Sequence, residues 1–277
     1  MFMRIDAHHH VWDLAVRDQP WTATLPQLRR SFGMDELRPS LADHSIDATI
    51  LVQTIAVPEE TPELLQLACV DPNVAGVVGW IELSVPHVTD RLAELSALPG
   101  NLVGVRHGVQ NEPDPRWLCR SHVRRGIAAV GAAGLSYDLL ITPSQLGAAI
   151  ETVRALPEVR FVLDHAAKPL IAQGILEPWR DQVCHLAALP NAAVKLSGLV
   201  TEAAPNWTVD MLSPYTDVLL DSFGPQRIMF GSDWPVCLLA GTYGDVVDAT
   251  AELTAKLLPD ERADVFGGTA TRWYGLT

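Results

Sequence analysis

Eight short apolar runs punctuate the chain, and each is followed by a stretch with helical signals. The runs are MRIDAH (3–8), ATILVQ (48–53), VAGVVGWIEL (74–83), LVGVRHG (102–108), LSYDLLI (135–141), VRFVLDH (159–165), AAVKLSG (192–198) and RIMFGSD (227–233). Each is rich in β-branched or aliphatic residues and bounded by turn formers, the signature of a buried strand. Between them, 58–71 carries Leu64, Leu65, Leu67 and Ala68 behind acidic residues in its first turn, where a helix dipole favours them. Segment 87–100 stops at Pro-Gly, and 142–158 opens on a Thr-Pro cap and runs amphipathic to a proline. Segment 243–260 repeats that pattern.

Alternating strands and helices fit an open doubly wound sheet or a closed (β/α)8 barrel. Eight units in 277 residues match the barrel's usual size. No G-x-G-x-x-G follows the first strand, which weighs against a dinucleotide-binding sheet. The expectation is therefore an α/β protein with one domain over 1–277, a (β/α)8 TIM barrel.

Charge narrows the partners. At −13 the surface repels phosphate backbones and anionic lipid heads, so neither nucleic acid nor membrane is expected as a partner. No apolar run reaches the ~18 residues of a membrane span, and the N-terminus carries no signal-peptide pattern. Cys69, Cys119, Cys184 and Cys237 are scattered with no C-x-x-C pair, the usage of reduced thiols in a cytoplasmic protein. A homodimer is expected from base rates alone.

Barrel enzymes place their chemistry at the C-terminal ends of the strands. Those ends supply His8, His9 and His10; Gln53; Trp80 and Glu82; Arg106 and His107; Tyr137 and Asp138; Asp164 and His165; Lys195 and Ser197; and Asp233. Strand alternation turns His8 and His10 to one face and His9 to the other. Two imidazoles on one face suit one metal ion or one substrate oxygen. Asp6 shares their parity and is expected to orient an imidazole. Taken alone, three histidines could equally be chance or a tag remnant, and Asp233 an Asx-turn. Their pairing with His165 favours function.

The stretches IDAHHHVWD, VQ, GVRHG, LDHAAKP, VKLSGL, FGSDWPV and GGTATRWYGL resemble the amidohydrolase superfamily nearly end to end. Within it they are similar to the amidohydrolase-related (type 2) branch that contains sugar-lactone and dicarboxylate-lactone hydrolases. The resemblance implies a distorted (β/α)8 barrel and opening of a small lactone ring, most simply a sugar lactone. It carries over His8 and His10 as the paired strand-one histidines, His165 as the strand-six histidine and Asp233 as the strand-eight aspartate. It leaves two cofactor states open: one zinc or other divalent ion on His8, His10, His165 and Asp233, or catalysis without metal. The middle strands offer no bridging lysine or glutamate, so two metals are not expected. Ala167 departs from the glycine frequent in the family's D-H-x-G-K-P, which weakens the assignment of Lys168.

On this reading Asp233 takes a proton from water, His165 positions that water or the aspartate, and His8 and His10 polarise the carbonyl. Arg106 binds the oxyanion or a substrate carboxylate. Gln53, Trp80, His107, Tyr137, Lys168 and Trp234 are candidate substrate-binding residues, with Ser197, Trp12 and Trp21 behind them. Two rivals stand beside the lactonase: a metal-dependent non-oxidative decarboxylase of the same superfamily, and a barrel that binds ligand without catalysis.

Overall fold

A computed structural model describes residues 3–276. Eight strands form one sheet in sequence order, every ladder parallel. They are β1 (Ile5–His9), β2 (Ala48–Val52), β3 (Val74–Gly79), β4 (Leu102–His107), β5 (Ser136–Leu139), β6 (Arg160–Leu163), β7 (Ala192–Leu196) and β8 (Ile228–Phe230). The helices follow as α1 (Met34–Asp43), α2 (Glu60–Val70), α3 (Val88–Ser96), α4 (Ser121–Ala132), α5 (Leu146–Ala155), α6 (Trp179–Ala187), a short α7 (Leu199–Glu202), α8 (Val209–Phe223), α9 (Tyr243–Leu253), α10 (Pro259–Ala263) and α11 (Thr269–Tyr274). This is the (β/α)8 barrel the periodicity predicts. All eight strand signals fall on strands, though most strands end earlier than their apolar runs. Among the described residues no helix is long and apolar enough to cross a membrane.

Two apolar layers hold the barrel together. Inside, small and branched residues such as Ala7, Ile50, Val78, Val162 and Ala193 pack with Tyr274 and Leu276 from the C-terminal segment. The larger layer lies between sheet and helices. Burying aliphatic side chains on both faces is what lets a parallel sheet read as continuous apolar runs.

Closure between β8 and β1 is made beyond the end of β8 rather than by a ladder. His10 N–H donates to the Trp234 carbonyl at 2.7 Å, and Asp233 N–H donates to the His8 carbonyl at 2.8 Å. The approach is close because residue 231 is glycine: a Cβ there would lie 2.7 Å from that of His8.

Two expectations about side-chain direction fail for identifiable reasons. The β1–β2 register gains one residue on β1 between Asp6 and His9, a bulge that reverses the alternation. Asp6 therefore does not orient the His8 ring. It accepts from the backbone N–H of His8 at 3.1 Å and of Ser232 at 2.8 Å, and from the Tyr243 hydroxyl at 3.2 Å. Tyr137 is fully buried in the sheet–helix layer, edge-on to Phe161 at 6.1 Å, because its neighbour Asp138 takes the inward position. It does not face a substrate.

Candidate active site

The site is assembled at the closure seam. His8 and His10 lie inside the barrel, while His9 turns outward to Thr49 Oγ1 at 2.9 Å. Asp233 follows β8 with a left-handed backbone (φ 56°) that brings its carboxylate back over the histidines. Its Oδ1 lies 3.5 Å from His10 Nε2, 3.7 Å from His8 Nε2 and 3.9 Å from His165 Nε2. His165 begins a run of four left-handed residues, His165 to Lys168. The fold holds this run although each such residue costs roughly 1–2 kcal/mol. Gly198 (φ +64°) makes room for it: a Cβ there would come within 2.6 Å of His165 Nδ1.

The hydrogen bonds orient the imidazoles. His10 Nδ1 donates to the Val52 carbonyl at 2.7 Å, which leaves Nε2 facing Asp233 Oδ1 at 3.5 Å. Donors approach both nitrogens of His8, the Lys195 ammonium at 3.2 Å from Nδ1 and Arg106 Nη1 at 3.2 Å from Nε2, and His8 Nε2 also lies 3.2 Å from His10 Nε2. Ser197 Oγ engages His165 Nδ1 at 2.9 Å and leaves Nε2 facing Asp233. Ser197 thus holds a histidine rather than a sugar.

Beneath His8 lies a buried charge network whose members sit at strand ends but whose connection the sequence did not reveal. Lys195 Nζ is 2.5 Å from Asp138 Oδ2 and 2.9 Å from Asp164 Oδ1, and the Tyr274 hydroxyl donates to Asp138 at 2.7 Å. Arg106 donates to Asp164 at 3.0 Å and to the Gln53 carbonyl at 2.5 Å. Two cations face two carboxylates, so the layer is formally neutral. Asp138 and Lys195 stand two residues past inward Ser136 and Ala193, so period-two counting gives their inward direction but not their meeting.

Protonation follows from burial and neighbours. Burial raises the Asp233 carboxyl, but the imidazoles of His165, His10 and His8 outweigh it and hold it below the ordinary range. Burial lowers His165 to about 4 against the pull of Asp233 and Asp164, and burial with the Lys195 charge drives His8 well down. Burial also lifts Asp138 to about 6, against Lys195. Asp164 stays well below its ordinary value because Lys195, His8 and Arg106 overcome its burial. At neutral pH Asp233 is ionised beside the neutral imidazoles of His8 and His165.

A cavity of about 480 Å³ opens above this constellation. Asp233, His10, His165, Arg106, Gln53, His107 and Lys168 line it. The half-exposed Trp21 stands at it too. Trp80 and Trp234 do not. Trp80 donates its indole N–H to His107 at 3.0 Å, and Trp234 packs edge-on against Phe32 at 5.5 Å. Glu112, which the motifs did not flag, lines the cavity and takes a hydrogen bond from His107 at 2.8 Å. Its signal was its position four residues past GVRHG.

The donors also suit a metal ion. Ligand atoms of His8, His165 and Asp233 all lie within 4.8 Å of one another, and all three residues are buried. Two nitrogens and an oxygen fit a zinc-type site. Binding through His8 Nε2 would put its proton on Nδ1. Asp164 Oδ1, 3.4 Å away, could accept from it.

The chain is similar to known proteins over its whole length. L-fucono-1,5-lactonase from Burkholderia ambifaria is 40% identical over 281 residues, covering 100% of this chain and 97% of that protein. L-fucono-1,5-lactonase from Burkholderia multivorans is 40% identical over 292 residues, covering 99% and 96%. A crystal structure of an amidohydrolase from Burkholderia multivorans with bound zinc superposes with a TM-score of 0.95 at 38% identity, covering 99% of this chain and 100% of that one. Residues 5–276 match the Amidohydrolase family, and the chain belongs to it.

Proposed function

We propose that the protein hydrolyses the ring ester of a small sugar lactone. The observation that carries this is the ionised, buried Asp233 surrounded by three imidazoles at the floor of the cavity. The lactonase relatives, alike over the whole chain, favour it over decarboxylation and over ligand binding without turnover. L-Fucono-1,5-lactone is the first substrate to try.

Lactone opening needs a base for water, a donor for the carbonyl oxygen and a proton for the leaving alkoxide. Asp233 takes the proton from water as its oxygen attacks the carbonyl carbon. His10 and His165 hold the aspartate in place. Arg106, whose Nε has no partner among the described residues, supplies N–H groups for the developing oxyanion. The ring C–O bond then breaks, and Asp233 returns its proton to the alkoxide, leaving a hydroxy acid. His8, His165 and Asp233 would hold one divalent ion, which when bound supplies Lewis-acid polarisation of the carbonyl.

The test is proton release, followed with a pH indicator, over sugar and dicarboxylate lactones. Acid release by the wild type on a sugar lactone supports the reading. Silence on every lactone, with carbon dioxide released from an aromatic acid, overturns it.

A further inference from the structure

We infer that Glu112, held by His107, is the part of the cavity that selects hydroxylated lactones over carboxylated ones. The inference rests on the lactone-hydrolase reading and names a residue that sets its substrate class.

The Trp80 indole can only donate, and it does so to His107 Nδ1 at 3.0 Å. His107 in its neutral form must therefore carry its proton on Nε2, which donates to Glu112 Oε1 at 2.8 Å. Trp117 stacks on the other side of the ring, 4.4 Å away and within 8° of parallel. Ring position, tautomer and direction are all set by neighbours that are themselves buried. The chain Trp80–His107–Glu112 thus delivers an acceptor-only carboxylate to the cavity wall, where its side chain keeps 25% exposure. Among the described residues no other side chain bonds it.

Charge in the same wall makes the choice sharper. Arg106 is matched by Asp164 at 3.0 Å, and Lys168 faces Glu202 at 3.8 Å. A substrate carboxylate would meet Asp233 and Glu112, while each lining cation is already charge-paired and only the Arg106 Nε–H, turned to the oxyanion, is free among the described residues. A hydroxyl can donate to Glu112 and lose nothing. A carboxylate so placed rejects by repulsion and accepts by hydrogen bond.

The experiment compares wild type, Glu112→Gln and Trp80→Phe on a fully hydroxylated sugar lactone, on analogues each lacking one hydroxyl, and on a ring-carboxylated lactone. For Glu112→Gln, KM on the hydroxylated lactone should rise roughly ten- to a hundred-fold with kcat nearly unchanged, as for loss of a charged hydrogen bond. That penalty should vanish for one particular deoxy analogue, and kcat/KM on the carboxylated lactone should rise. Trp80→Phe, which releases the tautomer, should show a smaller loss on the same hydroxyl, and it carries the test if Glu112→Gln does not fold. An unchanged KM, or an equal loss on every analogue, overturns the inference while the lactonase reading stands. A wild type inactive on every lactone overturns both.

Discussion

Asp233 and His8 meet twice. The backbone N–H of Asp233 donates to the carbonyl of His8 at 2.8 Å, and their side chains face each other at 3.7 Å from Oδ1 to Nε2. The contact that closes the barrel is thus the contact that builds the site. Fold and chemistry are coupled at one seam, and substitutions there can be sorted by which half they disturb.

Asp233→Asn keeps the shape and backbone bond but removes the base. We expect kcat to fall by about 10²–10⁴-fold, the usual contribution of a positioned general base, with KM little altered. Turnover near the wild-type rate in an indicator assay would end the role.

Lys195→Met should destabilise the fold by about 3–5 kcal/mol, because Asp138 and Asp164 lose a shared counter-charge in a buried layer. Adding Asp138→Asn should restore part of the loss, since one uncompensated carboxylate is then gone. Urea unfolding of the single and double variants measures this; equal stability of all three proteins would contradict the network.

Stability should decline as the solution is acidified below pH 6.5. Burial lowers His9 to about 3, and its contact with Thr49 lies outside the catalytic cavity. Between pH 6.5 and 3 the unfolded chain therefore binds one more proton at this residue than the folded one. Its contribution is fully present above 6.5 and is lost at up to roughly 1.4 kcal/mol per unit as pH falls. Replacing His9 with Gln should flatten that slope in a series of denaturation curves; an unchanged slope would assign it elsewhere.

Ala167→Gly should raise stability by up to about 1 kcal/mol. It relieves a left-handed alanine (φ 60°) worth roughly 1–2 kcal/mol, less the backbone entropy of glycine. Gly198→Ala should do the opposite and also cut kcat, because the added methyl meets His165 at 2.6 Å. Thermal melts and turnover together distinguish the two effects.

Zinc added to the protein should raise Tm through preferential binding to the folded state, and Asp233→Asn should abolish the shift by deleting one ligand. A Tm indifferent to zinc in the wild type would remove these residues as a metal site.

Much of this was legible along the chain. Short continuous apolar runs such as VRFVLDH located the strands, and the strand ends nominated His8, His10, His165, Asp233 and Arg106, all of which the fold brings together. These are local signals: burial on both faces writes continuous apolar runs, and the first polar residue after a run marks its mouth. What the tertiary structure decided is everything that depends on the register between strands. One extra residue in β1 turned Asp6 away from the imidazoles, against simple alternation. The inward turn of Asp138 sent Tyr137 into the outer layer. The Lys195–Asp138–Asp164 network and the Trp80–His107–Glu112 chain join residues whose meeting no spacing announces. Sequence determines which face a side chain prefers; only closure of the barrel determines what it finds there.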